Sequence, residues 1–111
     1  MSQELQSVWL LLDSRAMGGI ESHVAQLAEA LVGADIAVEV LFLQDHGSHP
    51  LKQRLSTAGI KWSVLSGTLT SLLRRLKKDR PTILHTHGYK SGILGRVAAR
   101  LQGIAVASTY H

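Results

Sequence analysis

The sequence predicts an α/β fold: a parallel sheet of about five strands in the order 3-2-1-4-5, flanked by helices. Three observations carry this. Short apolar runs alternate without exception with segments of helical period along all 111 residues, the pattern of right-handed βαβ units. The first two runs, Val8 to Leu12 and Ala37 to Leu43, are apolar almost throughout, as strands covered on both faces are. The length and a 45% hydrophobic composition suit one domain with a modest core and exclude two.

The elements follow in order. Val8 to Leu12 reads as a buried strand that surfaces at Asp13 and Ser14. Gly18 and Gly19 make the turn into a helix whose Ile20, Val24, Leu27, Ala28 and Leu31 recur at helical spacing, with Gly33 as its stop. Ala37 to Leu43 is the second strand, and its exit, Gln44 to His49, is polar. Pro50 suits the first turn of a short helix capped by Ser48 or His49, with Leu51, Leu55 and Ala58 forming a thin apolar stripe and Gly59 ending it. Ile60 to Leu65 alternates Ile60, Trp62 and Val64 with Lys61 and Ser63, as an edge strand does.

Leu69 to Asp79 is the cleanest helix, with Leu69, Leu72, Leu73 and Leu76 on one face and Arg74, Arg75, Lys77 and Lys78 on the other. Pro81 ends it by restricting Arg80. Thr82 to Gly88 is the fourth strand. The last helix, Tyr89 to Leu101, is expected to turn Ile93, Leu94, Val97, Ala98 and Leu101 inward, with Gly92 and Gly95 allowing close approach to the sheet. Gly103 closes it, and Ile104 to Tyr110 is the fifth strand.

Composition narrows the function. No apolar run approaches the roughly 20 residues of a membrane-spanning helix, and MSQELQS has neither the basic start nor the apolar core of a signal peptide. Cysteine is absent, which excludes disulfides and thiolate metal sites and suits a cytoplasmic protein. A net charge of +4 favours anionic partners. Nucleic acid is not among those expected, because the five aromatics are scattered and no recognition module accompanies the basic residues. The basic face of Arg74, Arg75, Lys77 and Lys78 is either a solvated surface or a patch for an acidic membrane.

In a sheet of this order, ligands sit beyond the carboxyl ends of the strands where the winding reverses, between strands one and four. Three exits converge there: Asp13 to Gly19, His87 to Lys90, and His111. Adjacent glycines at a helix start leave backbone N–H groups and the positive pole of the helix dipole open to a phosphate. A tight turn needing glycine only for its dihedrals is the competing explanation. His85 and His87 share a strand face and supply two legs of a zinc site only if His46, His49 or an aspartate completes it. The commoner role of such a pair is one packed ring and one at the strand mouth, so no metal is expected. His23 reads as a partly buried structural residue. Neither G-x-G-x-x-G, nor the P-loop pattern, nor a G-x-S-x-G elbow occurs. Asp45 at the end of strand two therefore carries little weight as a ribose carboxylate.

Three stretches, MGGIESHVAQLAEAL, PTILHTHGYKSGILGRVAARLQGI and AVASTYH, together resemble the N-terminal domain of family 4 retaining glycosyltransferases of the two-domain GT-B type. The resemblance runs over nearly all of the chain. It implies a Rossmann-like, acceptor-side domain over residues 1–111 that faces a second such domain across a cleft. By this resemblance Gly18 and Gly19 lie by the diphosphate of a nucleotide-sugar donor, and His111 lies beside the transferred sugar as the catalytic residue. Met17, His87, Gly88, Tyr89 and Lys90 line the acceptor side, for a glycan or lipid-linked acceptor. Transfer is expected to retain anomeric configuration and to need no metal or other cofactor, the leaving phosphate being stabilised by backbone amides and basic side chains. The expected location is cytoplasmic, in peripheral contact with the inner face of the membrane. The family's C-terminal, donor-binding domain is absent from these residues, so the chain is expected to be a piece that is inactive alone. The alternative of a different class is a non-catalytic α/β module that binds a nucleotide or phosphate, or docks on an acidic membrane.

Overall fold

The computed structural model describes residues 6–14 and 18–109. Five strands and four helices alternate: β1 (Ser7–Leu12), α1 (Gly19–Gly33), β2 (Ala37–Phe42), α2 (Pro50–Thr57), β3 (Lys61–Val64), α3 (Leu69–Asp79), β4 (Ile83–His87), α4 (Tyr89–Gln102) and β5 (Ala105–Thr109). All four strand pairings are parallel and the order is β3-β2-β1-β4-β5, as the alternation predicts. The winding reverses between β1 and β4, so the carboxyl ends of these neighbours open onto one crevice.

Strand alternation sorts the core into two layers. Leu10, Leu12, Val40 and Phe42 meet Val24, Ala25 and Ala28 of α1 and Leu51 and Leu55 of α2. On the other face Trp9, Leu11, Leu41 and Leu84 meet Leu72 and Leu76 of α3 and Ala98 and Ala99 of α4. Helix starts are fixed locally. His49 caps α2, its Nδ1 accepting the Leu51 N–H at 3.0 Å, and the Thr68 hydroxyl caps α3 by accepting from Ser71 N at 3.1 Å.

Two local expectations are corrected. Gly33 is the last helical residue of α1, not its stop; Asp35, at φ 60°, makes the reversal instead. More consequential is α4. Its buried residues are Ser91, Gly92, Gly95, Ala98 and Ala99, while Ile93, Val97 and Leu101 point to solvent. Small side chains draw this helix onto the sheet. A Cβ on Gly95 would stand 2.4 Å from Thr86 Cγ2 and 3.2 Å from Leu11 Cδ2, so the backbone approaches more closely than any larger residue allows.

Candidate functional site

β1, β2 and β4 all deliver polar residues to the crevice, and they meet at Asp13. Its carboxylate accepts from Gln44 Nε2 at 3.2 Å and pairs with His46 Nε2 at 2.9 Å, both from the exit of β2. Lys90, in the first turn of α4, places its Nζ 3.9 Å from the same carboxylate. Beside it, the Ser14 hydroxyl lies 2.8 Å from His49 Nε2. Because His49 Nδ1 accepts from a backbone N–H, the neutral ring carries its proton on Nε2 and donates it to Ser14. The loop after β2 is thereby tied to the end of β1.

Two glycine turns flank this network, and they differ. Gly88 opens α4 at φ 93° and ψ 176°, a conformation essentially reserved for glycine, and its N–H donates to Thr109 O at 3.0 Å. Gly18 opens α1 in ordinary extended backbone at φ −163°, and Gly19 begins the helix. Among the described residues, a Cβ on Gly18 would meet only Glu21 Oε1, at 3.2 Å, and one on Gly19 would meet nothing within 4 Å. Dihedral need therefore does not account for this pair of glycines.

Behind the turns lies a row of imidazoles. The His87 ring stacks on His85 at 4.3 Å between centroids and lies 5.7 Å from His23. His85 also sits 2.8 Å from Thr109 Oγ1 through Nε2. Burial, and to a lesser degree the neighbouring His23, hold the His85 pKa below the ordinary imidazole value. Among the described residues no group of three or more His, Asp or Glu is placed to hold a metal ion.

Of the residues expected at the site, Gly18, Gly19, Gly88, Tyr89 and Lys90 stand at the crevice, with Tyr89 76% exposed. His87 does not line an open acceptor wall: its ring is 1% exposed, because the strand carries it beneath the start of α1, against His23. Met17 and His111 lie outside the described residues. Arg74, Lys77 and Lys78 are exposed on α3, but Arg75 turns inward and leaves the basic patch. Its guanidinium donates to both Glu39 oxygens at 2.8 Å, to Ser63 Oγ at 2.8 Å and to Asp79 at 2.9 Å, and stacks 4.8 Å above the Trp9 ring. Asp45 lies on the exposed β2 exit, tied to Gly47 N at 2.8 Å. Residue patterning did not single out the Asp13, Gln44, His46 and Lys90 network; the available signal was topological, namely polar exits from adjacent strands.

Residues 17–111 match the sequence profile of Glycosyltransferase Family 4. The chain belongs to that family. Among curated members, it is 53% identical over 45 residues to an Escherichia coli UDP-Gal:alpha-D-GlcNAc-diphosphoundecaprenol alpha-1,3-galactosyltransferase, covering 40% of this chain and 12% of that one. It is 28% identical over 113 residues to the D-inositol 3-phosphate glycosyltransferase of Acidothermus cellulolyticus, covering 85% of this chain and 25% of the relative. Among solved structures, Acinetobacter baumannii MurG superposes with a TM-score of 0.75 at 18% identity, over 93% of this chain and 34% of that one. This family 4 chain thus spans about a third or less of each of these three proteins, and its fold is that of an N-terminal GT-B glycosyltransferase domain.

Proposed function

We propose that this domain is the acceptor-side half of a glycosyltransferase that moves a sugar, with retention, from a nucleotide-sugar donor to a glycan or lipid-linked acceptor. The observation that carries the reading is the Gly18–Gly19 turn: neither backbone is one reserved for glycine, a β-carbon on Gly19 meets nothing within 4 Å among the described residues, and the missing β-carbons leave the first amides of α1 open to a diphosphate. In the reaction those amides and the helix dipole stabilise the charge that develops on the leaving phosphate, without a metal ion. Lys90 and the Gly88 to Tyr89 turn hold the acceptor, a role the family resemblance also gives to Met17. The Asp13 carboxylate keeps Lys90 and His46 in place. The family resemblance assigns the transferred sugar to His111. The Escherichia coli relative's name joins a UDP-sugar to a diphosphoundecaprenol acceptor, and a donor and acceptor of those classes suit a site with an anion pole next to a lysine. The domain then works on the inner face of a membrane, with Arg74, Lys77 and Lys78 in contact with acidic lipid.

The test is an amide chemical-shift titration of the ¹⁵N-labelled chain with UDP, and with uridine as control. The expected result is a response to UDP alone at Gly18, Gly19 and Ile20. A UDP footprint on another edge of the sheet, or equal shifts with uridine, overturns the assignment of the turn to the diphosphate.

A further inference from the structure

Glu21 stands where the apolar stripe of α1 calls for a hydrocarbon side chain. It shares the buried face of the helix with Val24, Ala25 and Ala28 and is 8% exposed. A carboxylate so placed costs free energy unless a hydrogen bond or an opposite charge compensates it. Among the described residues its oxygens have neither. The carboxyl end lies at the turn that opens the helix: Oε1 is 3.2 Å from the point a β-carbon on Gly18 would occupy. Gly18 thus makes room for this carboxylate.

Glu21 also sits in the first turn of α1, whose leading amides have no acceptor within the helix. The pole there is equivalent to about half a positive charge, against a full negative charge on the side chain. The turn borders the crevice, since Ile20 Cδ1 stands 3.7 Å from the point a β-carbon on Gly88 would occupy. The start of α1 therefore joins amide donors that attract an anion to a carboxylate that opposes it. A buried acid with no partner among the described residues, set at an anion site, acts on whatever enters that site.

We propose that Glu21 sets the turn's preference between the nucleotide-sugar donor and the nucleotide diphosphate product, by charge. The inference rests on the assignment of the donor diphosphate to the Gly18–Gly19 turn. In the transfer the bond between the anomeric carbon and the terminal phosphate oxygen breaks, and its electron pair stays on that oxygen. The acceptor oxygen bonds the carbon, and the acceptor's proton passes to solvent. The terminal phosphate, singly charged in the donor, becomes a monoester with a second ionisation near pH 6 and carries close to one charge more. A bare helix pole would hold this product tighter than the donor and be blocked by it. The full negative charge of Glu21 outweighs the half charge of the pole and reverses that preference. Hydrogen bonds from the amides still seat either diphosphate, but the spent nucleotide meets the larger repulsion and leaves more readily.

Amide titrations of the ¹⁵N-labelled chain with UDP and with UDP-galactose test it, on the wild type and on Glu21→Gln. The variant is expected to bind UDP about tenfold tighter and UDP-galactose only about threefold tighter, because the terminal phosphate carries about twice the charge in UDP. Glu21→Ala gives the same change in the ratio, which separates the charge from hydrogen bonds of the glutamine amide. If UDP shifts the Gly18 to Ile20 amides of the wild type but Glu21→Gln changes neither affinity, the role of Glu21 is overturned and the diphosphate assignment stands. A variant that weakens UDP-galactose and leaves UDP unchanged also overturns it, since the carboxylate then accepts from a sugar hydroxyl. Absence of a UDP response at the turn in both proteins removes the diphosphate assignment, and this inference with it.

Discussion

The two turns that open α1 and α4 use the same residue for opposite reasons. At Gly88 the backbone itself demands glycine, and at Gly95, two turns later, the sheet does: Thr86 Cγ2 stands where a β-carbon would go. At Gly19 neither demand exists among the described residues, since its backbone is helical and a β-carbon meets nothing within 4 Å, and at Gly18 the backbone is ordinary and only the Glu21 carboxylate, 3.2 Å away, crowds a β-carbon. A glycine that the fold does not need marks a place left open to something outside the fold.

Substitutions break or sharpen this contrast in a definite order. Gly95→Val has the largest effect, because both backbone and side chain must yield; a loss of about 3 kcal/mol or more in urea unfolding is expected, as for severe overpacking. Gly88→Ala follows at about 1 to 3 kcal/mol, the cost of a strained non-glycine backbone. Acid comes next, and it acts on the second turn only. Burial sets the His85 pKa below its unfolded value, so the neutral ring stabilises the fold above the ordinary imidazole range. That contribution disappears as pH falls below about 6.5. The amides of Gly88 and Thr109 then shift between pH 7 and 5 while those of Gly18 and Gly19 stay, and His85→Gln flattens the response.

Glu39 acts in the same direction at lower pH. Burial raises its pKa, but the hydrogen bonds from Ser63 and Arg75 and the charges of Arg75 and Lys61 outweigh it and hold the carboxylate below its ordinary value. Its stabilisation is present above the usual carboxylate range and is lost as pH falls through the depressed value. Glu39→Gln removes that part of the acid slope. The smallest effect on stability is Gly19→Ala, within about 0.5 kcal/mol, since the methyl meets nothing.

Strand order is legible in the sequence, because alternation and crossover handedness leave few topologies, and with it the place of the crevice. The inward face of α4 is not, because two apolar stripes share one helix and periodicity cannot say which of them turns inward. The answer depends on how closely Gly95 approaches Thr86, a fact of three dimensions. Arg75 reads as a surface cation in the sequence because Glu39 lies 36 residues away, on β2; only its pairing with Asp79 is visible locally. The site was legible as backbone, in its glycine turns, and not as side chains: Asp13, Gln44 and His46 acquire meaning only once β1 and β2 lie side by side.

The central claim is that the Gly18–Gly19 turn is open for a ligand and not for the chain, and one paired measurement on Gly19→Ala tests it: melting temperature together with UDP affinity. The account predicts an unchanged melting temperature and a weakening of UDP binding by about tenfold or more, the loss of at least one hydrogen bond to a charged phosphate. A variant that binds UDP as the wild type does, or one that unfolds, contradicts it.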